Sequence, residues 1–128
     1  MGNKRILHVE DDPDIRTITE IALATVSGFD LMQCASGEEA IERARDFAPD
    51  ILLLDSMMPG LSGAETLEAL RKFDHIRNTP AIFMTAKAQP QEVKAHLELG
   101  AIAVITKPFD PMKLGAEIEG IVEKAASP

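Results

Sequence analysis

The chain has 128 residues, 45% of them hydrophobic, which is enough for one domain with a buried core, expected to span residues 1–128. A formal net charge of -8 argues against a nucleic-acid-binding surface, which needs clustered Lys and Arg, and suits cations and basic partner surfaces instead. Cys34 is the single cysteine, no apolar run approaches the ~18 residues of a membrane span, and Met1 to Arg5 opens no signal-peptide pattern. An intrachain disulfide and a cysteine-based metal centre are thereby excluded, and a cytoplasmic location is expected.

Taken in chain order, Arg5-Ile6-Leu7-His8-Val9 reads as a strand ending in Glu10-Asp11-Asp12. Pro13 suits the first position of a helix with Asp12 as its N-cap, and Ile15, Ile18, Ala22 and Val26 recur at helical spacing up to Ser27-Gly28. Residues 29–34 read as a short second strand. Ser36-Gly37-Glu38-Glu39 is a capping box opening a helix through Ile41, Ala44 and Phe47. Asp50-Ile51-Leu52-Leu53-Leu54-Asp55 is the central strand. Its four consecutive aliphatic residues predict burial on both faces, as in a parallel sheet, and Pro59-Gly60 forces a loop beyond it.

A second capping box, Ser62-Gly63-Ala64-Glu65, opens a third helix with Leu67 and Leu70 on its buried stripe. Residues 80–84 predict a fourth strand ending at Thr85, and residues 90–99 a shorter helix stopped by Gly100. Residues 101–105 predict a fifth strand ending in Thr106-Lys107-Pro108. Asp110 as N-cap and Pro111 at the first helical position then open a last helix lined by Leu114, Ile118, Ile121, Val122 and Ala125. Five strands alternating with five helices imply an α/β fold of three layers, a parallel sheet covered on both faces.

The strand interiors carry almost no charge, and the ionisable and hydroxyl groups fall just past the carboxyl ends of four strands. These are Glu10, Asp11 and Asp12 after the first, Asp55 after the third, Thr85 after the fourth and Lys107 after the fifth. In a parallel sheet those ends share one edge, where ligand chemistry collects. Carboxylates held within a few ångströms repel, at a cost of several kcal/mol, unless a hard cation with oxygen ligands compensates. Mg²⁺ fits, because it takes one or two carboxylates, keeps several waters and accepts a phosphate oxygen. Asp55 then suits a nucleophile toward a phosphoryl group, with Lys107 as a second positive charge and the Thr85 hydroxyl as a hydrogen-bond donor.

Four motifs carry a resemblance over nearly the whole chain: Val9-Glu10-Asp11-Asp12-Pro13, Leu54-Asp55-Ser56-Met57-Met58-Pro59-Gly60, Met84-Thr85-Ala86-Lys87 and Thr106-Lys107-Pro108-Phe109. In this order and spacing they resemble the receiver domains of two-component response regulators, including the chemotaxis regulators. The resemblance implies a flavodoxin-like (βα)5 sheet of order 2-1-3-4-5, the order of the chemotaxis member of the family. It implies Asp55 as phosphoacceptor and Glu10 with Asp11 as the acidic pair that organises Mg²⁺. In that pattern Asp11 binds the metal directly, Glu10 acts largely through water, and the backbone carbonyl of Met57 completes the protein ligands. Thr85 matches the switch hydroxyl, Lys107 the phosphate-pairing lysine, and Lys107-Pro108 a cis peptide bond. The phosphodonor implied is a phosphohistidine on a histidine kinase or phosphotransfer protein. The partner face implied is the fourth helix, fifth strand and fifth helix, on a monomer or weak dimer. Such a domain is not an enzyme beyond its own Mg²⁺-dependent phosphorylation and dephosphorylation.

Several residues depart from the pattern or have plainer readings. Asp12 follows the acidic pair and is expected to cap the helix. Val104 stands where the family usually carries Tyr or Phe, which admits an alternative: a degenerate or non-standard receiver acting as a protein-interaction module. Met57 and Lys87 flank the site at positions that tune phosphoryl lifetime, with a solvated role for Lys87 equally open. His8 is expected to pack, hydrogen-bonded, inside the first strand; His75 and His96 are expected on a loop and a helix surface. An aspartyl phosphatase of the haloacid-dehalogenase type needs a second Asp two residues past the first, where Met57 stands. A flavin module lacks aromatic partners in a chain with neither Trp nor Tyr.

Overall fold

The aliphatic run at the centre of the chain forms a strand in which every residue is buried, and the rest of the fold is hung around it. In the computed structural model, which describes residues 4–126, β1 (Arg5–Val9) leads into α1 (Pro13–Glu20), and β2 (Asp30–Cys34) into α2 (Gly37–Arg43). They are followed by β3 (Ile51–Asp55), α3 (Gly63–Leu70), β4 (Ala81–Thr85), α4 (Pro90–Glu98), β5 (Ala103–Thr106) and α5 (Leu114–Ala126). The strands form one sheet of order β2-β1-β3-β4-β5, every pair parallel. This is the flavodoxin-like arrangement of the chemotaxis regulators that the resemblance implied.

Strand alternation splits the core in two. Leu7, Val9, Leu52, Leu54, Ala81 and Phe83 face α2 and α3, whose Ala40, Leu67 and Leu70 meet them. Ile6, Ile51, Leu53, Ile82, Met84 and Ile105 face the other way, against Ala22, Leu23, Leu114 and Ile118. A fully buried aliphatic side chain contributes about 1.5–3 kcal/mol, so these two layers supply the main drive to fold. β3 lies between β1 and β4, and so the carboxyl ends of these three strands are held side by side.

Three of the expected caps form, although the box at Ser36 closes on one side only, since the Glu39 carboxylate accepts from the Ala35 N–H and not from Ser36. Asp12 accepts from the Asp14 and Ile15 N–H groups, Ser36 from Glu39, and Ser62 with Glu65 closes a reciprocal capping box. Several expectations need correction. The helix expected through Phe47 ends at Arg43 and tightens to a 3-10 turn at Ala44–Asp46. α1 gives way at Ile21–Val26 to a wider π-helical turn, so that Thr19, Ala22 and Leu23 are buried while Ile18 and Val26 face solvent. The strand expected from Ala101 begins at Ala103. The last helix begins at Leu114, not Pro111, because the Asp110 carbonyl accepts from both Lys113 and Leu114 and closes a tight turn first; its side chain accepts from the Met112 N–H.

Candidate functional site

Parallel pairing brings the predicted residues to one edge. Val9 pairs with Leu54, Asp55 with Met84 and Thr85 with Thr106, so the chain leaves all four strands at nearly the same level. Glu10, Asp11, Asp12, Asp55, Met57, Thr85, Lys87 and Lys107 line one depression of about 270 Å³. The sequence expectation of a single convergent edge therefore holds for every residue named.

Lys107 is its electrostatic centre. Its Nζ donates to Glu10 Oε1 at 2.7 Å and to Asp55 Oδ1 at 3.0 Å. Its side chain is 14% exposed, against 1% for Glu10 and 8% for Asp55, so the three charges interact with little solvent between them. Burial disfavours the charged lysine, but its hydrogen bonds to the two carboxylates outweigh that cost and hold its pKa above the usual value. Burial also pushes the Glu10 carboxyl upward, against the pull of Lys107 and of the Asp12 N–H. One carboxylate oxygen from each of Glu10, Asp11 and Asp55 lies within 4.8 Å of the others. Such an all-oxygen, multiply anionic set could hold a hard divalent cation.

The loops around this centre are held by backbone contacts. The Lys107 N–H donates to the Thr85 carbonyl at 2.8 Å, and the following Lys107-Pro108 bond is cis, as the resemblance implied. Ser56, directly after Asp55, donates its N–H to Met84 and accepts from the Gly63 N–H, both at 3.1 Å. Gly63 is required here, since a Cβ at that position would lie 2.2 Å from the Asp55 carbonyl oxygen. The Thr85 hydroxyl accepts from the Lys87 N–H at 3.1 Å, while the Lys87 side chain is exposed. Met57 sits at the rim with its side chain 78% exposed.

Sequence reasoning missed three supports. Arg16 donates one guanidinium nitrogen to the carbonyls of Glu10 and Asp11, at 2.8 and 3.1 Å, and so fixes the acidic turn. Gln33 donates to the Arg16 carbonyl and reaches His8 Nδ1 at 3.1 Å. A lone arginine one turn into a helix carries no signal of this role. His8 is wholly buried, as expected of a packing histidine, and burial pushes its pKa down to about 3, so it is neutral. His96 was expected on a helix surface. It is instead half-buried and meets Ser56 at 2.8 Å. His75 lies in the turn expected of it, bonded to the Ala44 carbonyl.

Comparison with known proteins agrees with this geometry. Residues 6–119 match the family described as the response regulator receiver domain. The chain is 36% identical over 123 residues to the alkaline phosphatase synthesis transcriptional regulatory protein PhoP of Bacillus subtilis, covering 96% of this chain and 50% of that protein. It is 34% identical over 124 residues to the phosphate regulon transcriptional regulatory protein PhoB of Pseudomonas aeruginosa, covering 97% and 54%. The chain thus spans about half the length of these relatives. Among solved structures, the chemotaxis protein CheY4 of Vibrio cholerae superposes with a TM-score of 0.87 at 26% identity, covering 94% of this chain and 99% of that one. With the family match spanning most of the chain and the four motifs meeting at one sheet edge, this protein belongs to the response regulator receiver domains of two-component signalling.

Proposed function

We propose that the domain accepts a phosphoryl group on Asp55 from a phosphohistidine of a partner kinase or phosphotransfer protein, and that this switches a protein-binding face. The observation that carries the reading is the convergence of Glu10, Asp11, Asp55, Thr85 and Lys107 around one open depression. An Asp55 carboxylate oxygen attacks phosphorus, the P–N bond to the donor imidazole breaks, and an acyl phosphate forms on Asp55. Lys107 already engages Oδ1 and supplies a positive charge for the transferring group. The Thr85 hydroxyl lies on the same wall and donates to a phosphoryl oxygen once one is present.

Glu10, Asp11 and Asp55, with the backbone carbonyl of Met57, are the groups that would hold Mg²⁺. The bound ion would neutralise charge between carboxylates and phosphoryl oxygens. Two carboxylates against one ammonium leave the centre net negative even with Lys107 in place, which favours that cation. Beside the depression lies a largely apolar hollow lined by Ile15, Ile18, Ala86, Lys107, Pro108 and Phe109, a surface on which a donor protein can seat. The output face proposed is α4, β5 and α5, where α4 has no fully buried residue and β5 is a half-buried edge strand. A monomer, or a weak dimer through that face, is the proposed state.

The test is incubation with acetyl phosphate and Mg²⁺, read by intact mass. One phosphoryl adduct is expected in the wild type and none in Asp55→Ala or after chelation of Mg²⁺. No adduct in the wild type would overturn the reading and favour a module that binds without phosphorylation, the alternative that Val104 raised.

A further inference from the structure

α4 is weakly attached to the domain. It buries no residue fully, its N-cap Gln89 makes no capping hydrogen bond, and only Glu92, Val93 and His96 are half-buried. Among the described residues, His96 is the only α4 side chain that hydrogen-bonds to another element. Its Nε2 lies 2.8 Å from the hydroxyl of Ser56, the residue after Asp55. Its ring packs on Phe83 of β4, two residues before Thr85, with centroids 4.5 Å apart at 48°. Nδ1 lies 2.7 Å from the Glu92 carbonyl, which can only accept, so Nδ1 carries a proton, and in the neutral ring Nε2 accepts from the Ser56 hydroxyl. Ser56 is itself fixed by the backbone on both sides, to Met84 and to Gly63.

We propose that His96 is a positioning residue that fastens α4 to the Asp55 and Thr85 strands, so that rearrangement at Asp55 reaches α4 through the Ser56 hydroxyl. The relay rests on the reading of Asp55 as phosphoacceptor, whereas the fastening stands on the geometry alone. A change in the β3–α3 turn moves the hydroxyl that His96 holds, and among the described residues no other α4 side chain hydrogen-bonds to a part of the chain beyond its own N-cap.

Two measurements on the full chain test this. In the first, imidazole ¹⁵N shifts and amide hydrogen exchange are recorded without any phosphoryl mimic. His96 is expected in the Nδ1–H tautomer. Ser56→Ala is expected to speed α4 amide exchange about fivefold to tenfold, the equivalent of one lost hydrogen bond, with α2 and α3 unchanged and Ser56→Thr restoring protection. In the second, beryllofluoride and Mg²⁺ are added. Amide shifts are expected at Asp55 and through α4 in the wild type, but only around Asp55 in Ser56→Ala. Unchanged α4 exchange in Ser56→Ala would overturn the fastening. Shifts that reach α4 equally in Ser56→Ala would overturn the relay. No beryllofluoride shifts in the wild type would overturn the phosphoacceptor reading together with the relay, while the exchange result judges the fastening separately.

Discussion

Single side chains in this domain behave according to what surrounds them more than what they are. Cys34 ends β2 almost wholly buried, and burial pushes its thiol up to about 11. Only the thiolate is nucleophilic, so a raised pKa leaves little reactive form at pH 8. Iodoacetamide at pH 8 is therefore expected to leave Cys34 largely unmodified in the native state, with full labelling in denaturant; rapid native labelling, read by intact mass, would contradict its burial. At this scale the sequence revealed those residues whose chemistry is local. Asp12 reads as a cap because Pro13 follows it, and it caps. Asp55 and Lys107 stand out because charge there interrupts an apolar pattern. Gln33 and His96 gave no such sign, since each acts on a partner far away in sequence, Ser56 being 40 residues from His96, and Arg16 gave none because it acts on backbone carbonyls that any residue offers.

Elements were legible where propensity and pattern agree, and their limits were not. The buried strand at β3 needed only its run of aliphatic residues. A stripe of Ile15, Ile18, Ala22 and Val26 presumes an unbroken 3.6-residue period, and the π-helical turn at Ile21–Val26 breaks it. The last helix shows the same limit, because Pro111 is compatible with a first helical turn but does not compel one. The approach of α3 to β3 is another feature that patterning cannot give, because it depends on the absence of a side chain at Gly63. Gly63→Ala places a methyl group against the Asp55 carbonyl and must push the helix start away. We expect a loss of about 1–3 kcal/mol in denaturant unfolding, together with slower phosphoryl uptake from acetyl phosphate. Unchanged stability would mean that the turn after β3 yields freely.

For the molecule as a whole, charge is the governing quantity. With a net charge of -8 and three carboxylate residues at one edge, a divalent cation is expected to bind the native state better than the unfolded chain. Mg²⁺ at about 100 times its dissociation constant should add about 2.7 kcal/mol of stability, measured as a rise in Tm, and Asp11→Asn should remove most of the gain. An equal rise in both proteins would point to general screening instead. The alternation of strands and helices was plain in the sequence, but the order of strands was not. Spacing cannot say that β1 lies between β2 and β3, and that order came from resemblance to a family. Lys107 and Glu10 are 97 residues apart, yet they share a hydrogen bond that the site depends on. If Asp55 is the phosphoacceptor proposed above, a nascent or partly unfolded chain has it without the lysine or the acidic turn beside it, and is expected to take up phosphoryl groups slowly. On that reading the domain checks its own completeness, since Asp55 meets Lys107 only after the final strand has docked at the edge of the sheet beside β4.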